Sequence, residues 1–70
     1  MNAKALKAQM ILMDKTVDQL CAAIGISRSA WFRKVGGDSE FTQGEITGLR
    51  SELCLDDHQT ADIFFNTEVS

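Results

Sequence analysis

The sequence predicts an all-α protein, a single compact domain of five short helices that spans residues 1–70. Apolar residues recur at helical spacing, and Ser, Thr, Asp or Asn residues stand where each helix would begin. The chain contains no proline that would interrupt these stretches. Because so short a chain buries only about 60% of the surface exposed in its unfolded form, short helices with few loop residues suit it best.

Capping residues define the first two predicted helices. The first runs from Ala3 to Leu12, and Asn2 is its N-cap. Its apolar stripe is formed by Ala3, Leu6, Met10 and Met13. The second helix begins at Thr16, which forms a capping box with Gln19. Its buried face is formed by Val17, Leu20, Cys21 and Ile24.

A tight turn and a third helix follow. Gly25 tolerates the left-handed backbone conformation that commonly ends a helix. Ser27 is predicted to cap a helix that continues to Val35, and two glycines, Gly36 and Gly37, end it. The residues of this helix predicted to face the core are Ala30, Trp31 and Val35.

The fourth helix begins at Thr42, with Glu45 at the capping-box position. Phe41 is predicted to pack on Ile46 as a hydrophobic staple, and the stripe continues through Leu49 and Leu53. Two interior glycines, Gly44 and Gly48, oppose this helix, since each costs about 1 kcal/mol relative to alanine. Close packing at Gly48 is the explanation we expect.

The fifth helix is predicted to begin after Asp56, with Gln59 three residues later. Its predicted apolar anchors are Ala61, Phe64 and Phe65. Phe64, Phe65 and Val69 together form an apolar cluster that could complete the core or present a dimer interface, and core completion is the expectation for Phe64.

Cysteine usage favours reduced thiols over a disulfide. Cys21 and Cys54 lie far apart, each within an apolar run, so both are predicted to be core thiols. Cys54 and His58 are four residues apart, but structural zinc needs about four ligands with closer pairing. The sequence therefore predicts no metal site, and it offers no motif for a cofactor.

Charge is divided between the two halves of the chain, although the net charge is −3. Residues 1–36 contain six Lys and Arg residues against two Asp residues, whereas residues 37–70 contain one Arg against eight acidic residues. Basic residues supply most of the non-specific affinity of proteins for DNA. Their concentration in the first half is typical of an electrostatic footprint on one side of the domain, and the alternative is solvated charged faces.

Residues 16–35 meet the demands of a helix-turn-helix. This motif needs a small residue where the helices approach, here Cys21, and a glycine in the turn, here Gly25. The apolar residues that would clamp the two helices together are Leu20, Ile24, Ile26 and Trp31.

The third helix leaves one face available to solvent, formed by Arg28, Ser29, Phe32 and Arg33. Arginine can pair with both major-groove acceptors of guanine, serine can reach a base edge or a phosphate, and an exposed aromatic ring can touch a thymine methyl group. The alternative is that Phe32 fills the core beside Trp31 and that the two arginines are only solvated charges.

The segment TVDQLCAAIGISRSAWFRKVGG, residues 16–37, resembles the lambda-repressor-like, Cro/CI-type helix-turn-helix family of temperate-phage and mobile-element regulators. Ile24-Gly25-Ile26-Ser27-Arg28-Ser29 is a specific match, and the segments SEFTQGEI and DIFFNTEVS resemble the last two helices of short Cro-like members. The resemblance implies a lambda-repressor-like domain that binds a double-stranded DNA operator as a homodimer. The candidate DNA-binding residues are Ser27, Arg28, Ser29, Phe32, Arg33 and Lys34.

Two positions depart from that family. Its members commonly carry a glutamine at the start of the second helix and a lysine just after the third, where this chain has Val17 and Asp38. By resemblance, the first position would contact the operator and the second a phosphate. Losing both should weaken operator binding but leave the fold intact.

The sequence thus predicts a DNA-binding transcription regulator of the phage repressor type. The alternative is a protein-interaction module on the same fold, such as an antirepressor or a modulator that binds another regulator protein. One histidine and no base beside a plausible nucleophile argue against an enzyme. No secretory signal and no run of 18 apolar residues is found, so a cytoplasmic protein outside the membrane is expected.

Overall fold

The computed structural model describes residues 1–65, which form five α-helices and no strand. The helices are α1 (Ala3–Leu12), α2 (Val17–Ile24), α3 (Arg28–Val35), α4 (Gln43–Leu53) and α5 (Asp57–Thr60). A π-helical segment, Ala61–Phe65, continues directly from α5. The all-helical class and the start of every predicted helix are confirmed.

Side-chain caps explain why the helices begin where they do. Three of the five are opened by full capping boxes, in which the N-cap side chain and the third helical residue exchange hydrogen bonds. In α2, the Gln19 backbone N–H donates to Thr16 Oγ1 at 3.1 Å, and the Thr16 N–H donates to Gln19 Oε1 at 2.9 Å. Asn2 and Ser27 each accept one such bond at the start of α1 and α3. Local sequence therefore determines the helix starts.

The core is built around four leucines. These leucines come from α1, α2 and α4 and are at most 2% exposed: Leu6, Leu20, Leu49 and Leu53. The other buried apolar residues in this cluster are Cys21, Trp31, Phe41, Ile46, Leu55 and Ile63. Helices α1, α2 and α4 therefore meet at the centre of the core, and α3 and the C-terminal segment pack around it.

Three aromatic side chains attach α3 to the rest of the domain. The Trp31 and Phe41 rings meet edge to face with centroids 5.4 Å apart, and the Phe41 and Phe64 rings do the same at 5.7 Å. Trp31 is 2% exposed. The prediction that Phe64 helps to complete the core is confirmed, and Phe41 and Ile46 are both buried, as a staple requires.

The predicted anchors of the C-terminal helix are wrong at two positions. Ala61 is exposed and Phe65 is 61% exposed, whereas Thr60 and Ile63 are buried. The π-helical turn is the physical reason, since its wider turns rotate residues 61–65 relative to a regular helix. Ile63 is also fixed through its backbone, because its carbonyl accepts a 2.7 Å bond from the Asn2 N–H. Val69 lies outside the described residues.

The two cysteines differ, and the prediction of a core position for Cys54 is wrong. Cys54 follows α4 in the left-handed conformation, with φ 53°, and is exposed while its neighbours Leu53 and Leu55 fill the core. Cys21 is buried, and its Sγ lies 3.8 Å from the Ser27 carbonyl oxygen. Burial raises the pKa of the Cys21 thiol, which keeps it protonated.

Gly48 lies where α4 packs closely against Ile24 of α2. A Cβ atom placed on Gly48 would lie 2.8 Å from Ile24 Cγ2, nearer than non-bonded carbon atoms normally approach. At Gly44, in the same helix, such a Cβ would meet no described atom within 4 Å apart from its chain neighbours and the backbone of its own helix. The close packing expected at Gly48 is therefore confirmed, and Gly44 has no such role.

Gly48→Ala should lower the free energy of unfolding by about 1–3 kcal/mol, because the new methyl group would force α2 and α4 apart. Gly44→Ala is the matched control and should raise the free energy of unfolding by about 0.5–1 kcal/mol, through better helix propensity. Urea denaturation of both variants beside the wild type measures the difference. Equal stability of the two variants would refute the close contact.

Candidate nucleic-acid interface

The burial of Trp31 determines which side of α3 faces solvent. With Trp31 in the core, the exposed arc of the helix carries Arg28, Ser29, Phe32 and Arg33. Ser27, the exposed N-cap residue, immediately precedes this arc, and its hydroxyl accepts a 3.1 Å bond from the Ala30 N–H. Phe32 is 53% exposed, so its ring lies on the surface and does not fill the core. Five of the six predicted site residues thus share one surface, which we call the α3 face.

Arg28 has two neighbours on this surface. Its Nη1 donates to Asp18 Oδ1, in the first turn of α2, at 2.6 Å. Its Cζ lies 5.5 Å from the centroid of the Phe32 ring, which is cation–π distance. The bond to Asp18 raises the pKa of Arg28, so the guanidinium is a permanent cation. Arg28 is therefore positioned by its surroundings even though its side chain is 59% exposed.

Lys34, the sixth predicted site residue, is set apart from the other five. Its Nζ lies 3.1 Å from Glu45 Oε1 and donates to the Glu40 carbonyl at 3.1 Å. It also lies 5.8 Å from the centroid of the Phe41 ring. The Lys34 and Glu45 side chains are only 14% and 17% exposed. The charge of Lys34 therefore ties α3 to the start of α4 and is directed away from the α3 face.

An open groove of about 280 Å³ runs between α1 and α3 beside this face. Its apolar lining includes Leu6, Val17 and Phe32, and Lys4 and Lys7 of α1 also line it. In the sequence, these two lysines belong to the basic first half of the chain, and no local pattern places them near Phe32. Their spacing of three residues along α1 indicates a shared side of the helix, but not that this side adjoins α3.

The two departures from the family pattern occupy different surroundings. Val17 is half-buried, packs against the core and lines the groove. Asp38 is exposed, and its backbone N–H donates to the Arg33 carbonyl at 2.9 Å just beyond α3. Val17 therefore has a packing role, whereas Asp38 places a negative charge near the C-terminal end of α3.

Within residues 1–65, no three His, Cys, Asp or Glu side chains are grouped so that they could hold a metal ion. None of the helices described there has both the length and the apolar character needed to span a membrane. The chemistry of the α3 face is that of hydrogen-bond donors, positive charge and an aromatic ring.

Comparison of the chain with protein-family models, with curated proteins and with solved structures finds no match. The features that point to a function are therefore the geometry and chemistry of the α3 face and the resemblance of residues 16–37 to a helix-turn-helix.

Glu45→Gln should reduce the loss of stability in acid. The hydrogen bond from the Thr42 backbone, and then the contact with Lys34, lower the pKa of the Glu45 carboxyl. A carboxyl with a lowered pKa stabilises the folded state above its ordinary value of about 4.3, and this contribution is lost as the pH falls through the lowered folded value.

The free energy of unfolding, measured by urea denaturation between about pH 5 and about pH 3, should therefore fall more steeply for the wild type than for Glu45→Gln. Glu40→Gln, which removes an exposed carboxylate, is the charge-matched control, and the slope should be shallower for Glu45→Gln than for this control. If Glu45→Gln keeps the wild-type pH dependence, the Glu45 carboxylate does not stabilise the fold.

Proposed function

We propose that this protein is a sequence-specific DNA-binding transcription regulator in which α2 and α3 act as a helix-turn-helix and α3 enters the major groove. The observation that carries the proposal is the α3 face: two arginines, two serines and an exposed aromatic ring on a helix whose other side is anchored by Trp31. The Phe32 ring is 53% exposed next to the Arg28 guanidinium, so this surface combines an apolar ring with hydrogen-bond donors.

The residues of the α3 face match what base edges offer in the major groove, which is about 12 Å wide and admits one helix. Arg28 and Arg33 can each donate two hydrogen bonds to guanine O6 and N7. Ser29 can bond to a base edge or a phosphate, and the Phe32 ring can contact a thymine methyl group. Ser27, at the N-terminal end of α3, can donate its hydroxyl to a phosphate.

The positions of the charges support the same orientation on DNA. Lys4 and Lys7 line the groove beside Phe32, where phosphates that flank the entered groove could lie. The acidic residues are concentrated in residues 37–70, which contain α4 and α5. A net charge of −3 is compatible with DNA binding when the cations adjoin the face that approaches the duplex.

We further propose a homodimer of the temperate-phage repressor type, which would place two copies of α3 in successive major grooves, about 34 Å apart, at a pseudo-palindromic operator. The resemblance of residues 16–37 supports this arrangement. Phe65, 61% exposed at the end of the described chain, is the candidate for the two-fold contact. Regulation would then follow from occupancy of the operator by a cytoplasmic protein.

Arg28→Ala with Arg33→Ala should weaken binding to the preferred duplex by about tenfold or more, because both base contacts are lost. The preferred duplex is the sequence that the wild type enriches from a random library, and a shuffled duplex of equal composition measures non-specific binding. Arg50→Ala is the control, since Arg50 is the arginine that pairs with Asp57 between α4 and α5. Fluorescence anisotropy at constant salt measures the affinities.

Equal wild-type affinity for the enriched and the shuffled duplex would reject a sequence-specific regulator. That result would favour the second candidate, a protein-interaction module that binds another regulator. Ile11 and Leu12 support this candidate, because they are 75% and 73% exposed at the end of α1. For such a module, Ile11→Asp should abolish capture of its partner, whereas the double arginine variant should retain it.

Phe65→Ser should weaken the dimer without unfolding the chain, because Phe65 is exposed. Truncation after Asp62 is a poorer test, since it also removes the buried Ile63. Sedimentation equilibrium should show a dissociation constant raised by about tenfold or more if Phe65 lies in the interface. Phe32→Ser is the control, as a second exposed phenylalanine, and should leave self-association unchanged. An unaltered dimer in Phe65→Ser would place the interface elsewhere.

A further inference from the structure

Arg28 is held from two directions, and one of its partners is acidic. Asp18 Oδ1 accepts a 2.6 Å bond from Arg28 Nη1, and the Phe32 ring lies below the guanidinium at 5.5 Å from Cζ. The three residues come from two helices, since Asp18 lies in the first turn of α2 and the others in α3. A carboxylate thus lies next to a residue of the α3 face, where DNA would bring its phosphates.

This ion pair is not needed to join α2 to α3. The Arg28 and Asp18 side chains are 59% and 73% exposed, and exposed ion pairs contribute little to stability. The two helices already meet through buried residues, among them Leu20, Cys21 and Trp31. The consequence of the pair is therefore the position of the guanidinium, which is otherwise the end of a long and flexible side chain.

A guanidinium carries five N–H donors in a rigid plane, and the bond to Asp18 uses a donor on Nη1. The remaining donors can still pair with guanine O6 and N7, which need two. A phosphate, by contrast, attracts Arg28 mainly as a charge, and Asp18 both neutralises that charge and repels the phosphate. Asp18 should therefore lower the affinity for non-specific DNA more than the affinity for a site with a correctly placed guanine.

We propose that Asp18 is a specificity-determining positioning residue, whose carboxylate holds the Arg28 guanidinium on the Phe32 ring for a guanine base edge and withholds it from DNA phosphates. This inference rests on the proposed function. Asp18 is acidic and lies outside the predicted site, and in this proposal it controls the affinity of the domain for non-specific DNA.

The chain supplies a closely matched control for this proposal. Asp57 also lies in the first turn of a helix, α5, and its Oδ1 also accepts a 2.6 Å bond from an arginine, Arg50 Nη2. Asp18→Asn and Asp57→Asn therefore remove the same charge from the same kind of pair. They differ in that Asp18 alone adjoins the α3 face.

The experiment measures binding of both variants to the enriched duplex and to its shuffled counterpart over a range of salt. Asp18→Asn should bind the shuffled duplex more tightly, with a salt dependence steeper by about one unit, because Arg28 becomes available to a phosphate. The ratio of specific to non-specific affinity should fall by about threefold or more. Asp57→Asn should keep the wild-type ratio. Equal ratios for the two variants would overturn the proposal.

Two further measurements separate positioning from general repulsion. In an Arg28→Ala background, Asp18→Asn should leave the ratio of specific to non-specific affinity unchanged. A fall in this ratio as large as the one expected when Arg28 is present would overturn the proposal. In the DNA-free protein, nuclear Overhauser contacts between the Arg28 side chain and the Phe32 ring should weaken in Asp18→Asn but persist in Asp57→Asn.

These results distinguish this inference from the proposed function. If Asp18→Asn retains the contacts between Arg28 and Phe32, the positioning role of Asp18 is refuted even if the wild type discriminates between the duplexes. If the wild type does not discriminate between them, both the proposed function and the specificity role are refuted.

Discussion

The rotational setting of α3 depends on the burial of one indole ring. Trp31 is 2% exposed and meets Phe41 edge to face, and Phe41 in turn meets Phe64 near the end of the described chain. Through this aromatic contact, a segment that follows α5 supports a helix near the middle of the sequence. Because successive residues of a helix differ by about 100° around its axis, fixing Trp31 also fixes the direction of Arg28, Phe32 and Arg33. The α3 face is thus a product of core packing.

The charges near α3 divide into two groups with different surroundings. Lys34 is largely enclosed and bonded to Glu45, so its charge contributes to the junction of α3 with α4. Arg28 is exposed and bonded to Asp18, so its charge remains at the surface but is locally balanced. A simple count of basic residues would treat the two as equal contributors to an electrostatic footprint. Their surroundings make them unequal, because the carboxylate nearest to each cation offsets its charge to a different degree.

Helix starts could be predicted from the sequence because each depends on residues within three positions of one another, as in the capping boxes of Thr16 and Thr42. The requirement for a glycine at position 48 was also expected, although its partner Ile24 was not. The π-helical turn after Thr60 and the exposed position of Cys54 were missed, because each depends on how the chain closes its core. For the site, helical periodicity identified the α3 face. It could not show that Lys34 is directed towards Glu45 or that Asp18 meets Arg28, since both contacts join different helices.

The contact of Gly48 with Ile24 has a consequence for how this sequence can diverge. The Ile24 atom that excludes a side chain at position 48 is the γ2 methyl group, which leucine and alanine lack. A relative with leucine or alanine at position 24 should therefore accept alanine at position 48 more readily than one that keeps isoleucine or valine there. The two positions are therefore coupled, and a substitution at position 24 should come before a substitution at position 48. That order of substitution would preserve the spacing of α2 and α4 throughout.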